Sequence, residues 1–92
     1  MMNLGEIQMG MAKLKNWSLE GKAIAKELEF DNFKDAMDFV NRVAQVADAQ
    51  GHFPTMMIES TKVRMYLTTV QENGLSEKDF GLAQEIDKLR DA

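Results

Sequence analysis

One side chain in this 92-residue chain titrates near neutral pH without help, and that is His52. It stands in Gly51-His52-Phe53-Pro54, just past the end of a helical pattern. There it fits an acid/base or hydrogen-bonding group in a loop beside a sheet. It also fits a surface histidine after a helix C-terminus, where positive charge is mildly favoured by the helix dipole. The other reactive groups do not assemble into a known device around it. Ser18, Ser60 and Ser76 offer hydroxyls, but a single histidine and no nucleophile-elbow motif argue against a hydrolase triad. The glycines are isolated, so neither a phosphate loop nor a dinucleotide fingerprint is present. With no cysteine and one imidazole, thiolate metal sites and sites needing two histidines are excluded. No Asp/Glu cluster has calcium-loop spacing. Trp17 and Tyr66 could stack on a flat heterocycle or could fill core or interface. Eight methionines would suit an adaptable binding surface, but Met37, Met65 and one of Met56 and Met57 fall on core-facing positions.

The elements that must position His52 follow from periodicity. Residues 1–15 carry Leu4, Ile7, Met11 and Leu14 at helical spacing, weakened by Gly5 and Gly10, which predicts a short helix with a frayed end. Residues 17–19 read as a short strand, followed by a turn at Glu20-Gly21. Residues 22–30 alternate, with Ile24, Leu28 and Phe30 on one face and Lys26 interrupting it, so a hairpin is expected. Asp31 or Asn32 caps the next helix. That helix has Phe33, Met37, Val40, Ala44 and Ala47 on one stripe, widened by Ala36, Phe39, Val43 and Val46. Asp38 and Arg42 make a favourable pair on its polar face, and Gly51 ends it. After Pro54, residues 55–60 and 63–69 read as two strands joined at Thr61-Lys62. Val63, Met65 and Leu67 form the buried face of the second. A loop with a turn at Asn73-Gly74 leads to Ser76, which with Asp79 resembles a capping box for the last helix. Leu82, Ala83, Ile86 and Leu89 form its apolar stripe, with Glu77, Lys78, Gln84, Asp87, Lys88 and Arg90 facing water. The order strand, strand, helix, strand, strand, helix predicts an α+β fold. It is a two-layer sandwich, with a four-stranded antiparallel sheet covered by helices on one face.

Residues 1–92 fit one domain, whose core at this length is thin enough that self-association would help bury more. The broad apolar stripe of the long helix points the same way. Fifteen acidic against eleven basic residues give a net charge of −4, without the basic face of a direct nucleic-acid binder. No stretch reads as a signal peptide or as a membrane span, so the expected location is the cytoplasm.

At Asp48-x-x-x-His52-Phe53-Pro54 the chain resembles the pterin-4a-carbinolamine dehydratase family, whose motif is an acidic residue, three others, then His-His-Pro. The similarity runs from Trp17 to about Leu89. It includes Phe33-x-x-Ala36-x-x-Phe39-Val40-Asn41-Arg42-Val43-Ala44, Lys62-Val63 to Leu67-Thr68-Thr69, Gly74-Leu75-Ser76-Glu77-Lys78-Asp79-Phe80, and Leu82-Ala83-x-x-Ile86-Asp87.

The resemblance implies a pterin substrate, no metal or other cofactor, and dehydration of 4a-hydroxytetrahydropterin to the quinonoid dihydropterin. It implies three catalytic histidine positions. The first is His52, the second falls at Phe53, and the third falls at Val70. An aromatic position falls at Ser60, and acidic positions are kept at Asp48 and Asp79. Phenylalanine and valine carry no exchangeable proton, so weak or absent turnover is expected. The alternative is a non-catalytic binding or assembly protein, since the family includes a transcription-factor dimerisation cofactor and Rubisco-assembly proteins. A homodimer or homotetramer is implied in either case.

Overall fold

The computed structural model describes residues 2–91; Met1, which the helical reading of 1–15 included, lies outside them. The elements run α1 (Leu4–Ala12), β1 (Ser18–Glu20), β2 (Ala23–Glu29), α2 (Phe33–Gln50), β3 (Thr55–Glu59), β4 (Lys62–Leu67), a 3₁₀ turn (Val70–Glu72) and α3 (Glu77–Asp91). The strands form one antiparallel sheet in the order β1-β2-β4-β3. Helices cover one face of it, as the alternation requires: Ile24 and Leu28 of β2 and Val63, Met65 and Leu67 of β4 point into the core. The opposite face carries Glu20, Glu27, Arg64 and Tyr66. There Arg64 donates to the Tyr66 hydroxyl at 2.6 Å and ion-pairs with Glu20.

Several local expectations shift in detail. The β3–β4 turn is Ser60-Thr61, one residue earlier than the predicted Thr61-Lys62, because Glu59 pairs with Lys62. Ser60 takes a positive φ of 55° there. Asn32, rather than Asp31, caps α2, accepting from Asp35 N–H at 2.8 Å. Asp38 pairs back to Lys34 at 2.9 Å instead of forward to Arg42. The buried stripe of α2 is centred on Ala36, Phe39, Val40, Val43 and Ala47. Phe33 and Ala44, placed on that stripe from spacing, lie beyond its edge in solvent. The first helix has a complete capping box, with Asn3 and Glu6 satisfying each other's backbone N–H. Gly10, which weakens it by propensity, is what lets it dock. A Cβ at that position would lie 2.7 Å from the Phe80 ring.

The largest departure concerns charge. Lys26, which breaks the apolar face of β2, is buried beneath the helices and meets Asp87 of α3 at 2.7 Å. Asp87 had been placed on the water-facing side of α3, yet it is only 5% exposed. Its Oδ1 also accepts the indole N–H of Trp17 at 2.9 Å, and its Oδ2 accepts the Lys15 backbone N–H at 2.9 Å. Trp17 is therefore core, with its polar edge committed to Asp87, and is not a stacking platform. A buried ion pair survives only when both ions are paired and further hydrogen-bonded. Here the cluster fastens the segment entering β1 to β2 and α3 at once. Lys15 extends the link by a surface ion pair to Asp91, whose carboxyl its hydrogen bond holds below the ordinary range.

Asp87→Ala is expected to cost about 3–5 kcal/mol, because it leaves the Lys26 ammonium buried without a counter-charge. The double change Lys26→Met, Asp87→Leu should recover part of that loss. Urea unfolding of the three proteins measures both effects.

Candidate functional site

Three local structures converge on His52. The first is the end of α2. Gly51 adopts the left-handed conformation (φ 66°) that glycine takes at least cost, and the His52 backbone N–H bonds back to the Ala47 carbonyl at 3.2 Å. This helix stop sets where the imidazole leaves the backbone. The second is the loop after β4. Thr69 N–H donates to the Gly74 carbonyl at 2.9 Å, and Gly74 N–H returns to Thr69 at 3.3 Å. That short bridge pins Thr69 while Val70–Glu72 turns outward. The third is the first turn of α3, where Ser76 and Asp79 stand three residues apart. Thr55 pairs with Tyr66, and continuing that register three residues outward brings His52 level with Thr69.

Asp79 joins the three. It is fully buried (0% exposed), and its Oδ1 lies 2.6 Å from His52 Nε2. Its Oδ2 accepts from the Thr69 hydroxyl at 2.7 Å and from the Ser76 backbone N–H at 3.0 Å. The Thr69 and Ser76 hydroxyls are themselves 2.6 Å apart, and Ser76 Oγ accepts the Lys78 N–H at 3.2 Å. Ser76 and Asp79 form only half of the capping box foreseen from sequence. Asp79 accepts the Ser76 N–H, but Ser76 Oγ takes the Lys78 N–H while the Asp79 N–H bonds to the Ser76 carbonyl. The same Asp79 carboxylate holds the histidine. Among the described residues no buried side-chain polar atom lacks a partner. The His52 side chain is 12% exposed, so the ring is held from within and reached from one side.

Of the site positions read from sequence, the structure brings His52 and Asp79 into contact. Asp48 stays apart. It is exposed on α2 and lines an open groove with Asn41, Gln45, Phe53, Pro54 and Met56. Phe53 and Val70 are 64% and 81% exposed and follow His52 and Thr69 directly, so they flank the hydrogen-bonded cluster without joining it. Ser60 lies at the opposite end of β3 from His52. Thr69 was not singled out by sequence reasoning, and Ser76 was read only as a cap. The one available signal was that the capping box stands so soon after the β4 strand. No group of three His, Cys, Asp or Glu side chains among the described residues is arranged to hold a metal ion.

The fold and the cluster on it describe a small α+β domain with one buried His–Asp pair, and the comparisons give its family. The family model for pterin 4 alpha carbinolamine dehydratase matches residues 2–89, and the chain belongs to that family. A Sulfurisphaera tokodaii protein named for the same dehydratase is 40% identical over 91% of this chain and 90% of its own length. A Chloroflexus aurantiacus protein of the same name is 43% identical over the same shares. Among solved structures, a transcriptional coactivator/pterin dehydratase from Brucella melitensis superposes with a TM-score of 0.91. It is 26% identical and is matched over 96% of each chain. A pterin dehydratase-like protein identified as a RuBisCO assembly factor in the alpha-carboxysome shares the fold. Its TM-score is 0.71 at 20% identity, over 84% of this chain and 92% of the other.

Asp79→Ala removes the acceptor for the Ser76 N–H, the Thr69 hydroxyl and the His52 ring together, and is expected to cost about 3 kcal/mol. Asp48→Ala, at an exposed position, should stay within about 0.5 kcal/mol of the parent. Denaturant midpoints of the two variants test the contrast.

Proposed function

We propose that this chain binds a reduced pterin beside His52 and acts on its 4a-carbinolamine weakly or not at all, as a family member reduced to one catalytic histidine. The observation that carries this reading is the 2.6 Å bond between His52 and a fully buried Asp79. It holds one imidazole ready, while Phe53 and Val70 offer no second or third proton carrier. The chemistry needs two proton movements. One proton goes to the 4a-hydroxyl as the C–O bond breaks and water leaves; one is taken from a ring nitrogen to give the quinonoid dihydropterin. A lone imidazole must do these in turn, taking the proton from the ring nitrogen and then passing it to the departing hydroxyl. Each missing acid/base group typically costs about 10²–10⁴ in rate. Asp48 and Phe53 line one open groove at the end of α2, next in sequence to His52, and are the candidate wall for the bicycle.

A second reading, binding without turnover, is supported by the exposed apolar side chains of Phe53 and Val70. A docked protein partner would cover them. In both readings the chain works as a homodimer or homotetramer in the cytoplasm. The support for oligomers is that β3 is an edge strand and that Met57 and Ile58 on it and Phe33 on α2 are exposed.

Purified protein is expected to turn over the carbinolamine about 10²-fold or more slowly than its Phe53→His, Val70→His double variant. His52→Gln should remove whatever rate the parent has. Parent turnover equal to that of the double variant would reject the single-histidine reading. Sedimentation equilibrium should give a mass of two or four chains, and a monomer at micromolar concentration would reject the oligomer.

A further inference from the structure

The hydrogen bonds around Asp79 have a direction. A backbone N–H can only donate, so Ser76 N–H gives to Asp79 Oδ2 and Lys78 N–H gives to Ser76 Oγ. The Thr69 hydroxyl spends its one proton on Asp79 Oδ2. The 2.6 Å contact between the Thr69 and Ser76 oxygens must then be filled by the Ser76 proton. The result is a one-way run, from Lys78 N–H through Ser76 and Thr69 to the carboxylate, with Ser76 N–H as a second donor to the same oxygen. Every arrow ends on Asp79. Oδ2 of the fully buried Asp79 thus receives two donors, and a carboxylate accepts hydrogen bonds and cannot donate them. His52 Nε2, 2.6 Å from Oδ1, must therefore be the donor.

We propose that the Thr69–Ser76 hydroxyl pair positions His52: acting through the Asp79 carboxylate, it commits the imidazole to carry its proton on Nε2. Nδ1 is left as the only ring nitrogen that exchanges protons with a bound molecule. Thr69 and Ser76 touch no ligand in this scheme; they are positioning residues, as the partner of a functional imidazole often is. The catalytic meaning of Nδ1 rests on the dehydratase reading above, but the tautomer does not.

The chain holds one histidine, so ring ¹⁵N spectra of labelled full-length protein report His52 alone. The parent is expected to show the Nε2–H form as the single neutral tautomer, with a ring N–H protected from exchange with water. In Thr69→Val the carboxylate loses a donor and turns more freely. Exchange of the ring proton should then rise about tenfold, the change expected for one hydrogen bond of ordinary net strength, and the second tautomer should appear. Ser76→Ala should act in the same direction, and Thr69→Ser, which keeps the hydroxyl, should restore the parent spectrum. A role in folding alone would lower the melting temperature of Thr69→Val without moving the tautomer. The inference is overturned if the parent carries its proton on Nδ1. It is also overturned if folded Thr69→Val and Ser76→Ala both keep parent tautomer and exchange. The parent measurement decides the first point even if a variant fails to fold. A fixed Nε2–H tautomer in a parent without carbinolamine turnover would support the positioning role while removing its catalytic meaning at Nδ1.

Discussion

A carboxylate taken wholly out of water must be met by donors on every side, and Asp79 is that carboxylate. Its partners come from three places in the chain. Thr69 belongs to the loop after β4, Ser76 to the start of α3, and His52 to the residue after the α2 stop. None of these can drift without stranding a buried charge. The site is therefore as rigid as the fold, because it is one of the points where the fold is tied. The helix dipole adds to this, since Asp79 sits in the first turn of α3 where negative charge is favoured.

A second acidic residue on the same helix repeats the device. Asp87 lies two turns further on and gathers Lys26, Trp17 and the Lys15 backbone. Between the two, Leu82, Ala83 and Ile86 fill the core. The inner face of α3 thus reads carboxylate, apolar, carboxylate. The apolar middle supplies burial. The two ends supply direction, because a hydrogen bond to a buried ion constrains geometry that hydrophobic contact leaves loose. One end places the histidine and the other places the chain entering β1.

Periodicity made the layers legible. The alternation of Val63, Met65 and Leu67, the stripe around Val40 and the glycine after Gln50 report local rules that the structure obeys. It could not show which charged residues lie inside. Lys26 and Asp87 each look like a lapse in an amphipathic pattern, and they make sense only as a pair sixty-one residues apart. The site behaved likewise. His52 and Asp79 were visible as residue types matched to a motif, but Thr69 carries no local sign of its role. Its hydroxyl matters because antiparallel register and a loop bridge bring it level with His52. Phe33 and Ala44 illustrate the converse. Spacing gives the direction of a helix's apolar face, while the width of the sheet beneath sets how much of that face is covered.

The cluster also separates what folding demands from what chemistry demands. Asp79, Ser76 and Thr69 satisfy one another and cap α3, so a stable chain needs them whatever it does. Phe53 and Val70 lie in solvent, and replacing a histidine at either place would leave the core untouched. The side chains at these two positions are therefore set by something other than the packing of the core. The His52 ring stands between these cases. The α2 stop uses only its backbone N–H, and Asp79 Oδ1 could be met by another donor. The fold does not require an imidazole there, yet the ring is enclosed, oriented and bonded to a buried charge.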